Sequence, residues 1–217
     1  MKTLTGICTC LFVASAAISL CAKAATPAPL FKTSFDCAGA TAPVEKLICR
    51  DAQLAGMDRE LNRLYRLALT DERSVPRPEK VDSEQQIWTL KRNQCFTEAD
   101  PKACTVARYA ERAHQLRQGS AIVRTKDPDR LTEGPVAIRC AGLNALIAAT
   151  YFNADPGVVY LSWANSAITL NQEPAGAGLR YSGKDNSGYY SFSQSGDEVL
   201  FQKPGSATMR CQMEPTG

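Results

Sequence analysis

The chain has 217 residues, 44% of them hydrophobic and 22% charged, with 25 Lys and Arg against 22 Asp and Glu. That length is enough for one domain or two small ones. The near balance of charge excludes a partner held mainly by electrostatics, such as nucleic acid or an anionic membrane surface.

The N-terminus reads as an export signal. Lys2 is a short positive region, Ile7 to Leu20 is uncharged and mostly apolar, and Ala22-Lys23-Ala24 has the small-x-small pattern of a cleavage site. At about 1.5 Å rise per residue the apolar run is short for a bilayer core of about 30 Å, and no later segment is long or apolar enough to span one. Residues 1–24 are therefore expected to be removed, placing the protein in a bacterial periplasm. Lipid attachment at Cys21 is the less favoured route, because Leu20 is bulky where lipoprotein processing wants a small residue. Loss of Lys2 and Lys23 leaves 23 basic against 22 acidic residues.

Cleavage also removes Cys8, Cys10 and Cys21 and leaves Cys37, Cys49, Cys95, Cys104, Cys140 and Cys211. An even set in an exported chain reads as disulfides. No C-x-x-C pair exists and His114 is the single histidine, so neither a metal nor any other cofactor is implied. His114 follows Ala110 and Ala113 on a helical stretch and is expected to be a partly exposed surface residue.

After a segment at 25–33, residues 34–119 carry helical periodicity. A short turn is expected around Val44 to Ile48. Asp51 to Thr70 is an amphipathic helix with Leu54, Met57, Leu61, Leu64 and Ala68 inward. The prolines between Ser74 and Pro78 break it. Asp82 or Ser83 can cap a second long helix to about Gln94, with Ile87, Trp88 and Leu90. Asp100-Pro101 starts a third, reaching about Arg117 with Val106, Ala110, Ala113 and Leu116 inward, and Gly119 closes it.

Beyond a linker at 120–135 the pattern becomes β. Short runs at Val136–Cys140, Leu146–Phe152, Val158–Trp163, Ala167–Leu170, Leu179–Ser182, Tyr189–Ser193, Val199–Gln202 and Thr208–Cys211 alternate with Gly, Pro, Asp and Asn turns. Eight such strands over 136–213, before a tail at 214–217, suggest a small antiparallel barrel, since closure removes exposed edges. The fold class is α+β with two domains: a small disulfide-stapled helical domain, then an eight-stranded antiparallel β-barrel. Cys140 and Cys211 lie on the first and last strands, so a bridge between them would staple the seam. In the helical half, Cys49 with Cys95 and Cys37 with Cys104 is the favoured pairing. Cys37 with Cys95 and Cys49 with Cys104 stays open.

No nucleophile–base pair or phosphate-binding glycine loop stands out, so no catalytic residue is assigned and an enzyme is not expected. Asp197 and Glu198 are adjacent on a strand and point to opposite faces; turn capping and surface charge suit them. Tyr65 and Trp88 read as helix-packing residues, and Tyr151, Tyr160 and Trp163 as barrel residues.

Ser34-Phe35-Asp36-Cys37, Glu45-Lys46-Leu47-Ile48-Cys49, Met57-Asp58-Arg59-Glu60-Leu61-Asn62, Tyr65, Gln85 with Trp88, and Arg92-Asn93-Gln94-Cys95 resemble the LprI-type domain, a cysteine-rich helical module named for a lysozyme inhibitor. Residues from about 136 to 213 resemble the MliC family, the membrane-bound inhibitors of c-type lysozyme. Cys140, Ala177 to Ser182, the aromatics from Tyr190 to Phe192, Ser195-Gly196-Asp197-Glu198 and Cys211 carry that likeness. The resemblance implies an eight-stranded barrel whose two loops plug a lysozyme cleft, with lysozyme or a related peptidoglycan hydrolase as partner. In that family a serine and a lysine in the loops meet the catalytic carboxylates. Here Ala177 stands in place of the serine and Ser195 in place of the lysine. By resemblance the binding loops comprise Ala177, Gly178, Arg180, Tyr181, Lys184, Ser195 and Gly196. Ser195 could keep one hydrogen bond, and Arg180 or Lys184 could present the cation. The alternative is an immunity or envelope binding protein with a different partner, such as a delivered wall-degrading toxin.

Overall fold

Asp51 does what an N-cap residue should: its side chain accepts from the Leu54 N–H at 3.0 Å and starts α2, Ala52–Thr70. The structure, a computed structural model, describes residues 29–125, 129 and 131–215; the export signal lies outside them. A single 3₁₀ turn at Cys37–Gly39 and a full helix α1, Pro43–Arg50, precede α2. Leu54, Met57, Leu61, Leu64 and Ala68 form its buried face, as their spacing predicts.

The next helix, α3, is Pro78–Gln94 and starts four residues before Asp82. Pro78 thus starts a helix, because a proline at the first helical position needs no N–H partner and has a helical φ already. The last helix, α4, is Pro101–Gly119, capped by Asp100, which accepts from the Ala103 N–H at 2.9 Å. Gly119 is its final residue for a reason other than left-handed capping. A Cβ there would lie 2.3 Å from the Val75 carbonyl oxygen, and Val75 N–H donates to the Gly119 carbonyl at 2.8 Å.

The disulfides of this half correct the sequence expectation. Cys37 pairs with Cys49 and Cys95 with Cys104, at sequence separations of 12 and 9. The 3₁₀ turn lies against the end of α1, and α3 continues into a second 3₁₀ turn, Cys95–Thr97, three residues before α4. Each bridge therefore closes a local corner, and neither spans from the start of α2 to the end of α3.

The second half closes as a barrel of eight antiparallel strands in chain order. They are β1 Thr132–Cys140, β2 Ile147–Phe152, β3 Val158–Trp163, β4 Ser166–Gln172, β5 Leu179–Asp185, β6 Gly188–Ser195, β7 Glu198–Gln202 and β8 Met209–Met213. The seam pairs β8 with β1, Cys140 stands opposite Cys211, and the two are disulfide-bonded. β1 begins four residues before Val136, because the Gly134-Pro135 pair sits in a register shift where Gly134 has φ +100°. Proline and left-handed glycine belong at such a bulge. Ile147, Ala149, Val159, Leu161, Leu170, Phe192 and Phe201 fill the interior.

The helical domain lies on the outer face of the first strands. Phe152 and Val158, whose side chains point out of the barrel, belong to the helical core. Polar contacts continue the seam: Glu60 accepts from the Thr132 hydroxyl, and Arg117 donates to the Gly134 carbonyl at 2.6 Å and to Thr132 Oγ1 at 3.1 Å.

Candidate functional site

Two loops meet at one end of the barrel. Gly178, in the β4–β5 loop, has φ +69°, and a Cβ there would lie 2.5 Å from the Gln194 carbonyl oxygen and 3.7 Å from Ser195 Cβ. Only glycine combines this φ with this approach. The β4–β5 loop is thereby laid on the β6–β7 turn, where Ser195 opposes Glu198 across Gly196, φ +60°. A link to the interior supports the turn. Tyr151 O–H donates to Gln194 Oε1 at 2.8 Å, and Gln194 Nε2 donates to the Gly196 carbonyl at 3.3 Å. Ala177, Gly178, Arg180, Ser195 and Gly196 are all exposed.

The remaining predicted positions divide. Arg180 stays with the loops: its carbonyl accepts from the Glu173 N–H at 2.8 Å, and it pairs with Ser193. Tyr181 is 2% exposed and points into the barrel, 6.2 Å from Tyr151 and 6.1 Å from Phe192 between ring centres. It positions the loop from below, and burial pushes its phenol pKa up. Lys184 is at the other end of β5, opposite Tyr189 and next to the Asp185–Gly188 turn. At about 3.3 Å per residue it stands roughly 16 Å along the strand from Leu179. It therefore cannot share a contact with Ala177 and Ser195. Asp197 and Glu198 are exposed at the turn.

The residues that carry the helical resemblance form an internal network rather than a surface. Asp58 accepts from the Ser34 N–H at 2.6 Å and from Tyr109 O–H at 2.9 Å. Arg92 donates to Tyr109 Oη at 3.3 Å and to Asn93, and its guanidinium lies 5.5 Å from the Trp88 ring centre. Trp88 Nε1 donates to the Arg108 carbonyl at 2.9 Å, Tyr65 O–H donates to Asp82, and Gln85 accepts from Arg112. Tyr109, the largest wholly buried side chain of this network, was missed by the sequence reading. Its place three residues after Val106 and four before Ala113 was the available signal.

His114 is not on the surface. It is 4% exposed, with Nδ1 2.8 Å from Thr150 Oγ1 and Nε2 3.2 Å from Ser162 Oγ. Desolvation lowers its pKa to about 4, so the ring is neutral. Periodicity within α4 identified the face turned to the other helices. The face turned to the barrel depends on a second element and has no such signature. Tyr160 points out of the barrel towards it, ring centres 4.9 Å apart, while Tyr151 and Trp163 point in.

Among the described residues no group of three His, Cys, Asp or Glu side chains could hold a metal ion, and no helix is long and apolar enough to cross a membrane. A groove of about 680 Å³ between α3 and α4 is lined by Ile87, Trp88, Lys91 and Arg108, and none of the predicted loop residues reaches it.

Comparison with known proteins agrees with both halves. The family described as membrane-bound lysozyme-inhibitor of c-type lysozyme matches residues 139–210, most of the barrel. Lipoprotein LprI of Mycobacterium bovis is 31% identical over 173 residues, covering 78% of this chain and 82% of its own length. LprI from two strains of Mycobacterium tuberculosis matches to the same extent. No solved structure matches the chain. Because LprI is 31% identical and the match covers over two thirds of both chains, the chain belongs to the LprI family, its second half being an MliC-type lysozyme-inhibitor barrel.

Proposed function

We propose that the protein acts in the periplasm as an inhibitor of a peptidoglycan-cleaving lysozyme, of the c-type, by laying the β4–β5 loop and the β6–β7 turn into the active-site cleft. The observation that carries this is the seating of Gly178 against Gln194 and Ser195, which brings the two exposed loops together at one end of the barrel. A lysozyme cleft holds one protonated carboxyl and one carboxylate. A hydroxyl suits the first and a cation the second. Ser195 retains a hydroxyl, and Arg180 is the cation at the correct end of β5.

The absence of a serine at 177 and of a lysine at 195 favours a second reading, in which the same loops recognise another wall-degrading enzyme. The relatives are named lipoproteins, which supports testing Cys21 as a lipid attachment site against cleavage after Ala24. Inhibition assays of the purified chain against c-type, g-type and i-type lysozymes decide the function. Selective inhibition of the c-type enzyme is expected. Inhibition of none of the three would leave the second reading standing.

A further inference from the structure

Two loops are a small surface for a tight complex. A standard interface covers about 800 Å² on each partner, a disc of roughly 16 Å radius. We propose that the binding face is composite, the exposed elbow between α1 and α2 and the β2–β3 turn extending the loop pair into one surface for the same hydrolase. This rests on the reading above.

The elbow is held beside the loops by successive contacts. Gln53 Nε2, in the first turn of α2, donates to the Pro156 carbonyl in the β2–β3 turn at 2.6 Å. The next residue joins that turn to β4: Gln172 N–H donates to the Gly157 carbonyl at 2.8 Å, and Gly157 N–H donates to Gln172 Oε1 at 3.2 Å. From β3 to β6 is three interstrand spacings of about 4.8 Å, or roughly 14 Å around the wall. A disc centred on Gly178 and Ser195 therefore reaches the β2–β3 turn, to which Gln53 ties the elbow.

The elbow is also preorganised. Asp51 caps α2 and pairs with Lys102 Nζ at 2.6 Å, tying the elbow to the first turn of α4. Burial pushes the Asp51 pKa up, and the hydrogen bonds from Lys102 and the Leu54 N–H outweigh it, so the carboxyl sits below its usual value. A rigid patch adds contact area with little ordering cost. Arg50, Ala52, Asp155 and Pro156 are exposed there. Lys102 is paired with Asp51, so Arg50 is the cation that the elbow offers to a cleft lined by carboxylates. The helical domain is thus part of the inhibitory surface, and the loops alone are an incomplete site.

The test measures the dissociation constant of the full chain for a c-type lysozyme, with thermal melts to confirm folding. Ser195→Trp blocks the loops, Ala52→Trp blocks the elbow and Arg50→Ala removes its free-standing cation. Lys184→Ala at the far end of β5 serves as a control. Both tryptophan variants are expected to weaken binding by about tenfold or more, and Arg50→Ala by about threefold or more in low salt. If Ser195→Trp weakens binding while Ala52→Trp and Arg50→Ala stay within about twofold of the parent, the composite face is wrong and the loop reading survives. If Ala52→Trp weakens binding and Ser195→Trp does not, both the loop reading and the composite face fail. A parent chain that binds no lysozyme removes both.

Discussion

His114 Nδ1 and Thr150 Oγ1, 2.8 Å apart, join the last helix to the second strand across the domain junction. The imidazole is neutral there, with its pKa lowered from 6.5 to about 4 by desolvation. The unfolded chain therefore binds a proton below about pH 6.5 that the folded chain refuses until about pH 4. Stability from this group is complete above pH 6.5 and is lost as pH falls towards 4, by on the order of 3 kcal/mol at most. Melting temperatures between pH 7 and 4.5 should fall more steeply for the parent than for His114→Gln. Parallel curves would contradict the assignment.

The two candidate cations should separate cleanly. Arg180→Ala is expected to weaken lysozyme binding by roughly tenfold or more, and Lys184→Ala to leave it unchanged, because only Arg180 lies by the loops. In the opposite sense, Ala177→Ser with Ser195→Lys restores a hydroxyl and an ammonium. A charge-assisted hydrogen bond is worth about 1.5–3 kcal/mol, so the lysine alone should tighten binding by about 10- to 100-fold. Inhibition constants for the four proteins check this. A double variant no better than the parent would show that these loops do not meet catalytic carboxylates.

Every cysteine from Cys37 onward is bonded in the structure, so the mature protein should take up no alkylating reagent without reductant. Intact mass of the protein from the periplasmic fraction reads this together with the start of the chain. A mass beginning at Ala25 supports cleavage, and one carrying acyl chains on Cys21 would replace it with lipid attachment. Removing the seam with Cys140→Ala and Cys211→Ala should cost about 4 kcal/mol for a loop of this length.

The domain junction makes the two halves unequal when separated. The barrel fragment, 129–217, keeps its interior and its seam bridge and should give a β-type circular dichroism spectrum. The helical fragment, 29–125, leaves Glu60 and Arg117 without their strand partners and uncovers the surface on which Phe152 and Val158 sit. Its melting temperature should fall well below that of the whole chain. A helical fragment that melts with the intact protein would mean the junction contributes little.

Much of this architecture was legible because its signals are local. The strand from Val158 to Trp163 and the capped start of α2 at Asp51 follow from a β-branched and aromatic run bounded by turn residues and from one side chain bonding three residues on. The misplaced starts of α3 and β1 both involve proline, which reads as an interruption but serves at a first helical turn and in a bulge. The disulfides of the helical half were not legible, because helical periodicity does not place the corner segments before and after the helices that the bonds close. At the candidate site the approach of Gly178 to Gln194 and Ser195 joins two loops that no local pattern links. The separation of Lys184 from both was hidden, since five residues within one β-strand cross the whole height of a small barrel.

The seam between β1 and β8 has a consequence for biosynthesis. Cys37 and Cys49, and Cys95 and Cys104, are close in the chain, so in an oxidising compartment each pair can close as soon as its short segment is present. Cys140 must wait for Cys211, 71 residues later. Until then the first strand has an unpaired edge, and its cysteine is an available thiol beside an oxidised helical domain. A chain stalled or truncated before Cys211 therefore leaves an open sheet with one reactive sulfur, a species suited to mixed disulfides and to capture by thiol-handling folding factors.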